Sequence, residues 1–209
     1  MTKPARPIRL YTHPLSGHAH RAALMLSLLR LPFERIEVDL MKGAQRAPDF
    51  LARNPFGQVP VIEDGEVTLT DSNAILTYLA LRYDSAGTWL PRDPVAAARV
   101  QQWLSVAAGP LTSGPAGARL VALFGAKLDH ERCKTIAAQL YTVVEAHLAA
   151  REFLVGDGPT IADVALYSYT ALAPEGGVAL EAYPNVRAWL ARMEALPGFL
   201  AMQRSKNAA

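Results

Sequence analysis

The chain has little of several features that would place it in a specialised class of protein. Cys133 is the one cysteine among 209 residues, so an intramolecular disulfide and a cysteine-rich metal site are both excluded. The lack of paired cysteines favours a reducing compartment, and we expect a cytoplasmic protein. No apolar run is long enough to span a membrane. The N-terminal stretch MTKPARPIRLY lacks the hydrophobic segment of a signal peptide.

An excess of charge of one sign is also missing. Lys and Arg total 21 and Asp and Glu total 19, for a net charge of +2. There is no long basic run, so we expect neither nucleic acid nor a membrane surface as a partner. His18 and His20 are two residues apart on a predicted helix, where side chains diverge. No other ligand cluster is present, so no metal site is predicted.

The first part of the chain alternates strand and helix patterns. In chain order we predict a strand at 8–12, a helix at 17–29, a strand at 33–39, a helix at 47–53, strands at 59–63 and 67–70, and a helix at 72–83. Asp64-Gly65 between the last two strands is a strong hairpin signal. The βαβαββα order predicts a small mixed sheet whose first two strands are parallel, with a right-handed crossover.

Strand patterns vanish after a predicted linker at 84–93. Asp93 and Pro94 open a helix that breaks at Gly109-Pro110 and resumes after Pro115. Further helices are predicted at 129–150, 164–172 and 184–195. We therefore predict two domains, an α/β domain at 1–84 and an all-α domain at 92–209.

Ser16 lies in the predicted turn between the first strand and the first helix. Oriented backbone N–H groups and the positive helix end are found at such a turn. A serine cannot be the base for a thiol, because its own pKa is far too high. Its hydroxyl can donate a hydrogen bond to a thiolate, which lowers the thiol pKa. The alternative interpretation is a plain helix N-cap.

Pro60 opens a predicted strand, where its missing N–H leaves a gap in the ladder. If the Val59-Pro60 bond is cis, the turn exposes the N–H and C=O of Val59, which can pair with an extended peptide. A proline at a sheet edge is the alternative interpretation.

A second strand-to-helix turn carries Asp71 and Ser72. The helix N-terminus and the Ser72 hydroxyl suit a carboxylate, and Asp71 suits an ammonium; the alternative is helix capping. Lys42 and Arg46 could neutralise a second carboxylate, or could lie on a solvated surface. Together these features fit a small thiol peptide with two carboxylates.

The same residues resemble the glutathione transferase family, over nearly the whole chain. The family pattern NPxGxVPxLxDG…ESxAIxxYL is similar to NPFGQVPVIEDGEVTLTDSNAILTYLALRY in this chain. The helix entry and the C-terminal pattern of the family resemble FLVGDGPTIADVALYSY and YPNVRAWLARMEALPGF. The resemblance implies a thioredoxin-like first domain, an all-helical second domain and a homodimer.

The resemblance also implies glutathione as co-substrate, and it assigns candidate residues. Those expected to bind glutathione are Lys42, Gln58, Val59, Pro60, Asp71 and Ser72, with the γ-glutamyl end at Asp71 and Ser72. Those expected to line the acceptor-substrate pocket are Trp103, Tyr169 and Ala173. Thr160 and Asp163 are expected to be structural.

Two positions depart from the family pattern. Many members carry Glu or Gln where this chain has Asp71, and bacterial relatives often have Asn where it has His18. We predict that the glutathione thiolate attacks a small, partly apolar electrophile, with Ser16 as first candidate for the thiolate donor and His18 as second. The alternatives are a glutathione-dependent isomerase, a disulfide or peroxide reductase, and a non-catalytic glutathione-binding module.

Overall fold

The computed structural model describes residues 3–205. Contacts along the chain divide these residues into two compact units. The first unit holds residues 3–87 together with Pro197–Gln203, and the second holds Thr88–Leu196 with residues 204–205. A short stretch near the C-terminus therefore packs with the N-terminal unit.

The first unit contains strands and helices in the predicted order. In chain order its elements are β1 (Ile8–Thr12), α1 (Gly17–Leu28), β2 (Phe33–Glu37), 3₁₀ turns at Leu40–Lys42 and Ala44–Arg46, α2 (Pro48–Leu51), β3 (Val61–Asp64), β4 (Val67–Thr70) and α3 (Ser72–Tyr83). In residues 3–205 the strands form one mixed sheet in the order β2-β1-β3-β4. β1 and β2 are parallel, whereas β3 is antiparallel to both β1 and β4. The predicted fold class, a thioredoxin-like unit followed by a helical unit, is confirmed.

Two strands are shorter than the sequence pattern predicts. The apolar–polar alternation after Phe33 continues to Asp39, but β2 ends at Glu37. The reason is local: the Asp39 carboxylate accepts from the Lys42 N–H at 3.1 Å and caps a 3₁₀ turn. β3 begins at Val61 instead of Val59, because the ladders to β1 and β4 both end at Val61.

A buried apolar cluster includes Val59, the residue of the candidate peptide edge. Its members are Tyr11, Ala19, Val38, Phe50, Val59 and Val61. Tyr11 and Phe50 pack edge to face, with ring centroids 6.2 Å apart. Because the Val59 side chain belongs to this cluster, the backbone next to Pro60 is held in a fixed position.

The second unit is helical. Its elements are α4 (Pro94–Ala108), a π-helical turn (Thr112–Ala116), α5 (Gly117–Phe124), α6 (His130–Leu148), α7 (Ile161–Ala171), a 3₁₀ turn (Ala173–Gly176) and α8 (Pro184–Glu194). The break after α4 falls at Gly109, as predicted. Pro115 lies inside the π-helical turn, where a wider backbone spacing accommodates its ring.

Asp163 organises the start of α7. Its carboxylate, fully buried, accepts from the Thr160 and Leu154 N–H groups at 2.8 and 2.9 Å and from the Trp189 indole at 3.0 Å. The Thr160 hydroxyl accepts in turn from the Ala162 N–H and from the Asp163 N–H, and the second of these bonds completes a capping box. These contacts bear out the structural role expected for Thr160 and Asp163.

Within residues 3–205, no helix is both long and apolar enough to cross a membrane. The same residues contain no group of three or more His, Cys, Asp or Glu side chains placed to hold a metal ion.

Candidate active site

Ser16 caps α1. Its Oγ accepts a hydrogen bond from the Ala19 N–H at 3.2 Å, and its own N–H donates to the His13 carbonyl at 3.0 Å, which closes the turn after β1. The cap uses an acceptor lone pair of the hydroxyl and leaves its hydrogen to donate. The capping interpretation and the thiolate-donor interpretation are therefore compatible.

The start of α1 meets the start of α3 through three polar side chains. Arg21 Nη1 lies 3.1 Å from Ser72 Oγ and 3.1 Å from His18 Nδ1. His18 Nδ1 and Ser72 Oγ are 3.5 Å apart. The structure therefore brings together two turns that are 54 residues apart in sequence, one carrying the candidate thiolate donors and the other the candidate head-group site.

Burial, together with the nearby Arg21 charge as the second cause, lowers the pKa of His18 from its usual 6.5 to about 3. His18 is therefore neutral at physiological pH. A neutral imidazole can donate a hydrogen bond to a thiolate, but it carries no charge that would attract one. Its contacts with Arg21 and Ser72 also place Nδ1 on the α3 side.

Asp71 caps α3 from a left-handed backbone conformation. Its φ is +66°, a region that non-glycine residues rarely adopt and that is often found at functional sites. Oδ1 accepts from the Asn73 and Ala74 N–H groups at 3.0 and 2.9 Å. These bonds involve one carboxylate oxygen, so the exposed side chain can still present its other oxygen to an ammonium. The Ser72 N–H takes no part in them.

The Val59-Pro60 peptide bond is cis. Val59 lies two residues before Val61, where both neighbouring ladders end, so its backbone polar groups are not part of the sheet. Asn54, which is 3% exposed, braces the loop: its Nδ2 donates to the Gln58 carbonyl at 2.7 Å and its Oδ1 accepts from the Phe56 N–H. Gln58 itself is exposed.

The two basic candidates have different surroundings. Lys42 Nζ pairs with Asp39 at 3.1 Å, and its side chain is 86% exposed. Arg46 extends beside Gly57, where a Cβ would lie only 3.1 Å from the Arg46 Nη1. Arg46 is therefore next to the loop that leads to Val59, whereas Lys42 already has a carboxylate partner.

The three candidate acceptor residues lie in the second unit. Tyr169 on α7 is 6% exposed and Ala173 is fully buried. Trp103 on α4 is half-buried and packs against the His147 ring, with centroids 4.8 Å apart. Of the three, Trp103 has the most surface available to a substrate.

Two residues that position this site were missed by the sequence analysis. Arg21 gave a signal, because it is a charged residue directly before the largely apolar run AALMLSLL. Asn54 gave a weaker signal, since an Asn followed by Pro is common in ordinary turns. The signal at Arg21 does not identify its partner Ser72, because the two residues are 51 positions apart and meet only in the folded unit.

Comparison with known proteins identifies the family of the chain. The chain matches the family description "Glutathione S-transferase, N-terminal domain" over residues 6–81 and "Glutathione S-transferase, C-terminal domain" over residues 118–197. The chain belongs to the glutathione S-transferase family.

Individual relatives cover most of the chain. Glutathione S-transferase 3 of Zea mays is 38% identical over 203 residues, 92% of this chain and 91% of that protein. A crystal structure of glutathione S-transferase from Pseudomonas fluorescens has a TM-score of 0.87 and 34% identity, and covers 95% of this chain and 100% of its own. A glutathione transferase homolog from Drosophila mojavensis, with bound glutathione, has a TM-score of 0.82 and 29% identity over 91% of this chain and 89% of its own.

Proposed function

We propose that this glutathione transferase activates the thiol of bound glutathione with a hydrogen bond from the Ser16 hydroxyl. The observation that carries the proposal is the meeting of the α1 and α3 starts, where His18 Nδ1 lies 3.5 Å from Ser72 Oγ. A peptide held at Asp71 and Ser72 by its γ-glutamyl end would have its cysteine near the first turn. The thiolate would then attack a small, partly apolar electrophile.

The structure favours Ser16 over His18 as the thiolate donor. The Ser16 hydroxyl retains its hydrogen after capping α1. His18 faces Arg21 and Ser72 through Nδ1, toward the proposed head-group end of the peptide. We therefore assign Ser16 to the sulfur, and we place His18 beside the γ-glutamyl group.

The rest of the peptide would follow the loop before β3. Val59 would pair its N–H and C=O with the cysteinyl backbone, as an added strand does. Gln58 and Pro60 would flank that edge. Asp71 would take the ammonium, while Ser72 and the α3 N-terminus would take the α-carboxylate.

A reductase mechanism that depends on a protein thiol finds no support in this site. The first turn contains serine and histidine but no cysteine. Cys133 lies on α6, is 6% exposed, and has a pKa raised by burial. A reductase or an isomerase would have to use the thiol of bound glutathione itself. A screen against haloarenes, epoxides, organic peroxides and maleyl compounds separates these outcomes.

The assignment of Ser16 is tested by titrating the bound glutathione thiol through its thiolate absorbance. We expect a thiol pKa below its reference near 8.5 in the wild-type complex. Ser16→Ala should return it toward that value and lower kcat/KM by about a hundredfold, as loss of a donor to a developing anion does. Ser16→Thr retains both a hydroxyl and a capping oxygen, and it should preserve the lowered pKa.

The competing outcomes are distinct. If Ser16→Ala and His18→Ala both keep full activity, the proposed catalytic site is wrong. Binding of glutathione with an unshifted thiol pKa would support the non-catalytic binding module instead.

The homodimer and the cytoplasmic location stay predictions. The 76% exposure of Phe56 is consistent with an apolar side chain that a second copy covers.

A further inference from the structure

Arg21 is a buried charge whose purpose the proposed chemistry does not yet explain. It lies on α1, three residues after His18, and is 1% exposed. Arginine is almost never buried to this extent without partners for its guanidinium. The contacts of the guanidinium therefore indicate what the residue does.

One nitrogen of Arg21 contacts both turns of the site. Nη1 carries two hydrogens and lies 3.1 Å from Ser72 Oγ and 3.1 Å from His18 Nδ1. A guanidinium has only donors and keeps its proton at any physiological pH. Both neighbouring atoms must therefore be acceptors, and Arg21 joins the start of α1 to the start of α3.

The contact has a consequence for the Ser72 hydroxyl. Because Ser72 Oγ accepts from Arg21, its own hydrogen points to another group. His18 Nδ1 is a poor acceptor for it, since that atom lies 3.5 Å away and already accepts from Arg21. The hydrogen is therefore available to a carboxylate bound at the N-terminus of α3.

The contact also has a consequence for His18. A ring whose Nδ1 accepts must carry its proton on Nε2. A second proton on Nδ1 would oppose the Arg21 charge in a buried place. The low pKa of His18, with burial as its main cause and Arg21 as the second, agrees with this.

We propose that Arg21 is a positioning residue for the head group of glutathione: it directs the Ser72 hydroxyl at the α-carboxylate of the γ-glutamyl group and holds His18 as the Nε2-protonated tautomer. The inference rests on the proposed placement of that group at Asp71 and Ser72. A buried guanidinium and a helix N-terminus at the same point both favour an anion there.

A ligand that lacks the carboxylate tests the proposal. 4-Aminobutyryl-cysteinylglycine is glutathione without the α-carboxylate, and its affinity can be compared with that of glutathione by calorimetry. We expect the wild-type protein to prefer glutathione by about tenfold or more, the effect of a hydrogen-bonded charge. Arg21→Met should weaken glutathione by about tenfold and leave the affinity for the analogue nearly unchanged.

Two further variants check that the effect passes through Ser72. Ser72→Ala should reduce the preference as Arg21→Met does, and the double variant should lose little more. Arg119 supplies a matched control, because it is also 1% exposed and its Nε donates to Glu175 at 2.7 Å in the second unit. Arg119→Met should lower Tm while leaving the preference between the two ligands as in the wild type.

The tautomer can be measured without any substitution at Arg21. In the ligand-free protein labelled with ¹⁵N-histidine, the His18 ring should be protonated on Nε2 from about pH 5 to about pH 8. His18→Gln identifies its signal among those of the five histidines. A ring protonated on Nδ1, or one that titrates near neutral pH, would overturn the proposal even if Arg21→Met does not fold. Arg21→Lys, which keeps the charge on a single nitrogen, should then show an intermediate preference.

The binding outcomes separate this inference from the proposed function. Equal weakening of both ligands by Arg21→Met indicates a merely structural role and overturns the inference. Equal affinity of the wild-type protein for both ligands contradicts the head-group placement itself, and the orienting role of Arg21 fails with it.

Discussion

At the scale of single residues, the basic side chains near the candidate peptide edge differ in the partners that they already have. Lys42 pairs with Asp39, and the ammonium is the first cause of the lowered pKa of that carboxyl. This pair is exposed, so it stabilises the fold little. It nevertheless competes for the lysine with any carboxylate of a ligand, whereas Arg46 lies against the loop that leads to Val59.

We therefore predict that Arg46 contributes more than Lys42 to binding the glycyl carboxylate of glutathione. Arg46→Ala should raise KM for glutathione by roughly three- to tenfold, because a charge-assisted contact is lost. Lys42→Ala, the matched control, should change KM less than twofold, as is usual for an exposed charge with a competing partner. Steady-state kinetics at several salt concentrations measures both. A larger effect for Lys42→Ala would contradict the assignment.

The residues of the site could be predicted from the sequence only in part. Asp71, Ser72, Val59 and Ser16 belong to local motifs, in which the turn and the chemistry are carried by neighbours in sequence. The meeting of His18 with Ser72 spans 54 residues, and no periodicity or spacing encodes such a contact. For that reason His18 was interpreted from its place in the first turn, where bacterial relatives often have Asn, as a second thiolate donor.

At the scale of elements, side-chain caps account for most of the agreement between sequence and structure. Asp71, Asp93 and Asp129 each accept from backbone N–H groups at a helix start, and the corresponding helices begin within a residue of the predicted positions. The prediction of β2 was two residues too long, because Asp39 caps a 3₁₀ turn instead of extending the strand. The alternation of apolar and polar residues carries no information on this competition between strand and turn.

A prediction at the scale of elements compares two glycines with the same backbone angle. Gly57, in the loop between α2 and β3, and Gly65, in the turn between β3 and β4, both have φ of +61°. A Cβ at Gly57 would lie 3.0 Å from the Gln45 carbonyl oxygen, whereas nothing lies within 4 Å of one at Gly65. Gly65→Ala should cost about 1 kcal/mol for its left-handed backbone alone. Gly57→Ala should cost more, because the loop must also move away from Gln45 and Arg46.

Urea denaturation measures both free energies of unfolding, and kinetics measures the effect on the site. Only Gly57→Ala should raise KM for glutathione, since its loop continues into Gln58 and Val59. Equal losses of stability in the two variants, with KM unchanged in both, would show that the close packing of this loop has no bearing on the peptide edge.

At the scale of the whole molecule, a late segment of the sequence packs with the N-terminal unit. Pro197–Gln203 follow α8 in sequence but belong to the first unit, and we call them the returning segment. The Ser27 hydroxyl donates to the Gly198 carbonyl at 2.6 Å, and His20 Nε2 lies 2.8 Å from the Leu200 carbonyl oxygen. Gly198 has φ of +89°, and a Cβ there would lie 2.9 Å from the Ser27 carbonyl oxygen. No local pattern predicts these contacts, because they join the last part of the sequence to α1.

The returning segment should therefore stabilise the helix that carries Ser16, His18 and Arg21. Removing residues 197–209 should lower the opening free energy of α1 by about 1–2 kcal/mol, the value of the two lost hydrogen bonds. Hydrogen exchange measures this element by element, and the amides of α6 should be less affected than those of α1.

Removing residues 204–209 is the control, because it keeps the returning segment and, among the described residues, deletes the contact of the Ser205 N–H with Glu175. If both truncations accelerate exchange in α1 equally, the returning segment is not what holds that helix. If only the longer one does, the stability of α1, the helix that begins at the candidate thiol-activating turn, depends on the contacts of the returning segment.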